Sequence, residues 1–375
     1  MTRTTHRLIA LFLATSLGLW PGGARAHDAS AWGGLFRTRD AGSTWFQAST
    51  GKVMGGAIAI AVDPSNPDHL LLGTDNGLLA TSNAGRDWDV VAPELVGAVL
   101  AVAFGARGQS ILAANRSMLV SSEDGVHWQS RPMPSGASPA RALVADTQAG
   151  AFYLLGWNAL LYTTDVGASW SPASQMLPEP VASIAVSADA SVVVVAAGNV
   201  WFGQNHGRIW QPISEGLPPD QVEVVAVDPT MSGAVWAAGA NQVFATLDDG
   251  QTWSSVGPPL PEHGTHVWAI ASEAGRTLVS TDRGLYAGHG TWDLLSDNLP
   301  GHIEAGPLAL DVHQPATLYV GFSVTPYAEI WQKAASGTSA LGRLSTSEVA
   351  GAVAVLIMLS LGAGAGLRSL RGLRG

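Results

Sequence analysis

The octapeptide "TRDAGSTW", Thr38 to Trp45, decides the fold because it returns along the chain. Altered copies are "TSNAGRDW" ending at Trp88, "SSEDGVHW" at Trp128, "TTDVGASW" at Trp170, "GQNHGRIW" at Trp210 and "TLDDGQTW" at Trp253, with a shortened "AGHGTW" at Trp292. Successive tryptophans stand 43, 40, 42, 40, 43 and 39 residues apart. That period is the length of one four-stranded propeller blade.

Each unit has the same internal order. The second reads "AIAIAVDP", "HLLLGTD", "GLLATS", the box and then "DWDVVA". These are four β-rich runs, A to D, separated by turn residues and lacking any helical period. Strand A can be placed seven times, from Gly56, Val99, Arg141, Val181, Val222, Val267 and Gly306. The last of these units has no box or D strand of its own, whereas "WGGLFRTRDAGSTWFQAS" at the front has a C strand, a box and a D strand but no A or B. Pairing the two ends completes a seventh blade and removes the free sheet edges of an open ring. The expected fold is therefore all-β, a seven-bladed β-propeller. "AEIWQKA" from Ala328 competes with "GLFRTR" for the C position of the closing blade, and the sequence leaves that choice open.

Within the box, the central acid or Asn accepts N–H bonds across the C-to-D turn, and the glycine two residues on supplies a positive φ. The Trp opens strand D and packs between blades. The expected turn sets are Asp40, Gly42 and Trp45; Asn83, Gly85 and Trp88; Glu123, Gly125 and Trp128; Asp165, Gly167 and Trp170; Asn205, Gly207 and Trp210; and Asp248, Gly250 and Trp253. Six approximate copies around a ring are what a structural part requires. A catalytic carboxylate would need one.

Composition limits what the rest can do. Residues 1–26 carry a basic head, an apolar run from Leu8 to Leu19 and "ARA" before His27, the pattern of a secretory signal peptide. Residues 27–335 are then the propeller, 336–348 a tether, 349–367 an uncharged span expected to form a C-terminal transmembrane helix, and 368–375 a basic cytoplasmic tail. This predicts export to the inner membrane as a single-pass protein, with the propeller on the periplasmic or extracellular side. A sorting signal that is cut and exchanged is the alternative reading of the tail. Between signal and span lie all 29 acids but only 13 of the 19 bases, a net charge of −16 that disfavours nucleic acid. With no cysteine there are neither disulfides nor thiolate chemistry, so stability rests on packing and the 14 tryptophans.

The signature S/T-x-D-x-G-x-T-W is the Asp-box, or BNR repeat. It resembles the repeats of bacterial sialidases, sortilin-type receptors, xyloglucan-degrading propellers and the photosystem II stability and assembly factor group. "AVDPSNPDHLLLGTDNGLLATSNAGRDW" is especially similar to the last two. Resemblance to the assembly factors implies a non-catalytic scaffold that binds proteins at a membrane. Their partner is met by an arginine-rich patch, and the acidic charge here points to a different client. Resemblance to the sialidases would require a Tyr nucleophile and an early Phe-Arg-Ile-Pro motif, from which "LFRTRD" departs. A glycosidase needs two carboxylates about 5–10 Å apart. A glycoside hydrolase or glycan-binding protein is the alternative function, with Trp157, Trp201, Trp236 and Trp268 available to stack on sugars.

Functional residues are sought on the D-to-A loops and B-to-C turns, which share one face. Glu262, His263 and His266, with His302 and Glu304 from the next blade, are the candidate ligand or metal face, since N and O ligands on adjacent loops suit a divalent ion. Arg116, Trp157, Arg283, Glu179, Asp220 and Glu223 are candidate partner contacts. No cofactor is expected. His27 as a mature N-terminus offers a weak amine–imidazole copper motif, and Gly362 with Gly366 a helix-dimer spacing.

Overall fold

The computed structural model describes residues 33–336 apart from 50–55, 147–149, 174–175, 188, 229–230, 240, 274, 289, 301–302, 312 and 315. The signal segment, the tether, the span 349–367 and the basic tail lie outside the described residues. Among those described, no helix is long and apolar enough to cross a membrane. Compactness divides the chain after Glu329, so the sheets and Tyr327 belong to one unit and the residues from Ile330 onward to another.

Seven four-stranded antiparallel sheets follow the order read from the repeats. Blade 1 is Ala57–Asp63, Asn66–Thr74, Gly77–Thr81 and Asp89–Val91. The innermost strand of each blade touches that of the next, and blade 7 touches blade 1, so the protein is a seven-bladed β-propeller. Both faces of every blade are covered by neighbours. The B strands accordingly read as unbroken apolar runs, such as "VVVVA" (Val192–Ala196), every residue of which is buried. Between blades 1 and 2 this yields a layer that includes Leu71, Leu78, Phe104, Ile111 and Val120.

The closing blade settles the competition left by the sequence. Gly33–Thr38 takes the C position, paired antiparallel with Leu318–Ser323 from Gly33 opposite Ser323 to Thr38 opposite Leu318. Phe36 and Phe322 meet edge to face at 5.4 Å, fixing that register. The surplus "AEIWQKA" forms part of a helix, Tyr327–Ser336, with Glu329 in its first turn and Lys333 in its last. Ala, Glu, Gln and Lys are good helix formers, and those charges complement the helix dipole.

The box hairpins are hydrogen-bonded knots. Thr38 Oγ1 donates to Asp40 Oδ1 (2.7 Å) and accepts from the Gly42 N–H (3.0 Å), while Asp40 accepts from the N–H and hydroxyl of Thr44 (2.8 and 2.6 Å). Gly42 has φ +86°, which an L-residue rarely adopts. Asp165 and Asp248 repeat the pattern. Hydroxyls of Ser169 and Thr163, then the Ser169 N–H, hold Asp165 down to about 2, and Thr246 and Thr252 do the same for Asp248. A carboxylate so saturated is ionised and occupied, which suits a turn and not acid–base catalysis.

Two box assignments need correction. In the third copy the turn carboxylate is Asp124, not Glu123: Asp124 Oδ1 accepts from the N–H groups of Val126 (2.8 Å) and His127 (2.7 Å). The hairpin there is one residue tighter, because Ser122 supplies the hydroxyl. In the fifth copy Asn205 does not knot the turn. Gly203 stands where other boxes have Ser or Thr, and a Cβ there would meet the Trp210 ring at 2.5 Å. Main-chain bonds to Gln204 O close the turn, with the His206 ring stacked on Tyr162 at 5.2 Å and bonded to the Tyr153 hydroxyl (3.1 Å).

Four of the tryptophans tie their blade to the previous one by a hydrogen bond. Indole N–H groups donate to preceding-blade carbonyls from Trp88 to Ala48 (2.8 Å), Trp210 to Ala173 (3.0 Å), Trp253 to Ile213 (2.7 Å) and Trp292 to Pro258 (2.8 Å). Trp88 is 2% exposed and buries its whole ring in that joint.

Candidate partner-binding face

At the opposite end of the strands, the D-to-A loops and B-to-C turns interlock. Asn115 donates to Val96 O (3.1 Å), Asn199 to Asp220 Oδ1 (2.8 Å), Asn241 to Leu260 O (2.7 Å) and the His266 N–H to Asp282 Oδ1 (2.9 Å). The turn asparagines and aspartates are thus brackets for the neighbouring loop, and both loop sets share one face as expected.

A recurrent β-bulge shapes the rim of this face. The A-to-B register shifts between Ala57 and Ala59, Ala140 and Ala142, Val181 and Ser183, Val222 and Val224, and Val267 and Ala269. The extra residues are Ile58, Arg141, Ala182, Glu223 and Trp268, at the loop end of the innermost strands. A bulge re-aims one side chain at the cost of a local bend in the strand. These residues therefore vary freely while the blades stay alike.

The candidate metal set assembles differently from the expectation. His266 Nδ1 pairs with Glu223 (2.8 Å) and not with Glu262, which is in an ion pair with Arg283. The guanidinium of Arg283 also donates to the carbonyl of His263 (3.2 Å). Glu304 accepts the N–H of Tyr327, whose hydroxyl donates to Ala57 O (2.7 Å). His302 lies outside the described residues. Among the described residues, no three His, Asp or Glu side chains converge to hold a metal ion. The hydrogen bond that His266 donates to Glu223, helped by the charges of Glu223, Asp282 and Glu304 against partial burial, raises the His266 pKa. Burial likewise raises Glu304.

Two rim residues were not singled out as rim residues by sequence reasoning. Arg141 donates to Val181 O (3.1 Å) and Ala182 O (3.0 Å) of the next blade, and desolvation lowers its pKa. Trp268 lies edge-on to His266 (4.2 Å) and to Tyr327 (5.9 Å), with its indole N–H buried and unpartnered. A charged residue inside an apolar A run, as in "ARALVAD", was the available signal for Arg141.

Of the proposed partner contacts, Arg116, Trp157, Glu179, Asp220 and Glu223 are exposed, and Arg283 is part-exposed. Of the four candidate sugar-stacking tryptophans only Trp157 stands out of the surface. Trp236 is buried, and Trp201 packs against the layer between blades 3 and 4. All five tyrosines are buried, so none is presented as a nucleophile.

Residues 82–217 match the family model of the photosynthesis system II assembly factor YCF48. The chain is an Asp-box propeller resembling that family. This propeller is similar to the solved YCF48 bound to D1 peptide, at 14% identity over 72% of this chain and 93% of that one, TM-score 0.54. YCF48 from Cyanidioschyzon merolae matches at 12% identity over 72% and 96%, TM-score 0.54. Virginiamycin B lyase from Staphylococcus aureus matches as well, at 10% identity over 78% and 100%, TM-score 0.55. Likeness at these identities is a likeness of fold, shared by a lyase and an assembly factor. No curated protein matches the chain in sequence.

Proposed function

We propose that the Asp-box propeller is a non-catalytic, protein-binding scaffold for membrane-complex assembly, held at the periplasmic side of the inner membrane by its C-terminal span and working through the loop face. The observation that carries this reading is the contrast in side-chain use on that face. On it Glu223, Glu262 and Glu304 are committed to internal bonds, while Trp157 and Glu179 are offered to solvent. Tryptophan is enriched at the core of protein contacts. The match to an assembly-factor model over residues 82–217 supports the same class, and the D1 peptide on the solved YCF48 supports a protein client. An ectodomain charge of −16 favours a client of opposite charge to one met by an arginine patch.

Photo-crosslinking in native membranes tests the reading. A photoreactive residue at position 157 should give a discrete adduct with another membrane protein, and one at Val90, exposed on an outer strand, should give none. Adducts from position 90 alone, or from neither position, would contradict it. The exposed ring of Trp157 also suits a sugar, so glycan binding is the second reading. Binding of an oligosaccharide that is lost in Trp157→Ala would favour that one.

A further inference from the structure

Both ends of the propeller chain open on the loop face, and the way the ring closes makes this unavoidable. The closing blade takes its B strand, Leu318–Ser323, from the C-terminal side of the sequence and its C strand, Gly33–Thr38, from the N-terminal side. A B strand finishes, and a C strand begins, at the end of the blade where B-to-C turns lie. Here Gly33 stands opposite Ser323 with no turn joining them. Ser323 also pairs with Glu304, at the loop end of the innermost strand, and bridges to Gly56 of blade 1. Beyond Ser323 the chain turns inward. Tyr327 is 3% exposed, its N–H bonded to Glu304, its hydroxyl to Ala57 O (2.7 Å) and its ring edge-on to Trp268 (5.9 Å). A Cβ at Gly306 would overlap the tyrosine ring, so blade 7 admits only glycine there. Tyr327 thus pins the departing chain over the innermost strands of blades 6, 7 and 1.

The segment after this pin is short. The helix runs on to Ser336 for about 10 Å, and the twelve residues 337–348 reach at most about 40 Å when drawn straight. As a flexible linker, twelve residues span only about 20 Å root-mean-square. From the inner ring to the box face the path runs outward across four strands, about 15 Å, and then along a six-residue strand, about 20 Å, before any loop is rounded. A bilayer at the box face is therefore out of the tether's ordinary reach. Resting on the reading that the span 349–367 crosses the membrane, we infer that the loop face is held toward the bilayer and the box face away from it, so that a client on the loop face is an integral membrane protein met where it rises from the lipid. The tether limits that rise to about 50 Å. A membrane segment before Gly33 would impose the same orientation, since that end too opens on the loop face.

The chain has no cysteine, so a single introduced cysteine can carry a dye without background. Glu179→Cys and Asp297→Cys mark exposed loops of the loop face, three blades apart, and Val126→Cys and Leu247→Cys mark exposed box turns, also three blades apart. The full chain is reconstituted in phosphatidylcholine vesicles that carry an acceptor dye on the lipid headgroups. Energy transfer from positions 179 and 297 should be at least twofold more efficient than from 126 and 247, in variants whose thermal midpoint matches the parent. Inserting about 40 Gly and Ser residues after Ser336 should erase that difference, because the tether then reaches either face. Equal transfer from all four positions, or stronger transfer from the box turns, would overturn the inference. So would a difference that survives the insertion, since the loop face would then be binding lipid by itself. The adduct formed at position 157 should contain an integral membrane protein, and a soluble partner in its place would also overturn the inference. The two failures separate. A chain that does not stay with washed vesicles removes the anchored reading and this inference with it, whereas a vesicle-bound chain with its box turns nearer the lipid sinks the inference alone.

Discussion

The two ends of the propeller use the same residue types for opposite purposes. At the box end, Asp40, Asp165 and Asp248 each accept several bonds from their own hairpin, and Arg37 and Arg276 donate to the carbonyls of Ala84 and Ala41 in neighbouring boxes. These charges are spent on closing a turn or joining one turn to the next. At the loop end, acids and arginines differ from blade to blade and sit on bulges or long loops. Repetition marks what holds the ring together, and departure from repetition marks what the ring presents. A residue's chemistry alone does not tell which it is, as Asp248 and Asp220 show.

Breaking the joint should cost most. Trp88→Ala removes a buried ring and two N–H bonds, and should destabilise the propeller by about 3–5 kcal/mol, read as a fall in the chemical-denaturation midpoint. Thr163→Val comes next. It keeps the shape but strips the hydroxyl that serves Asp165 and the Gly167 N–H, at a cost of about 1–2 kcal/mol. Loop-face substitutions should cost the fold almost nothing. Trp157→Ala and Arg116→Ala are each expected within about 0.5 kcal/mol of the parent in the same assay.

Titration sharpens the comparison. A box aspartate has a folded pKa of about 2, below its unfolded value of about 3.9. Its stabilisation is therefore complete above about pH 4 and lost as pH falls toward 2. Thermal midpoints should drop across that window, and Asp165→Asn with Asp248→Asn should flatten the drop. On the loop face the sign reverses. His266 has a raised pKa, so its contribution is present below the ordinary histidine range and lost as pH rises through the folded value. Its imidazole resonances should titrate above the usual 6.5, and Glu223→Gln should bring the midpoint down. The effect on stability is the smallest predicted here, because both groups are part-exposed and solvent-screened.

The blades were legible because a period of about 40 residues, β-rich runs between turn residues and a box are local signals that the copies repeat. Closure was legible because the incomplete ends complement each other. What the sequence hid depends on single-residue shifts or on contacts between loops. Asp124 takes the place expected of Glu123 because Ser122 moves the hydroxyl by one position. Asn205 loses its task because Trp210 leaves room only for glycine at position 203. Glu223 and Trp268 come beside His266 through bulges, which no strand pattern records. "AEIWQKA" satisfies either strand or helix, and pairing of Gly33–Thr38 with the B strand decides between them.

Hydrogen exchange on the propeller with and without its co-purified client tests most directly the claim that the loop face works while the box face holds. Protection on binding should be confined to the turn at Trp157–Asn158 and the loops at 176–180 and 214–223, with the box hairpins at 38–45, 163–170 and 246–253 unchanged. Protection concentrated in those hairpins, with the loops unaltered, would contradict the account.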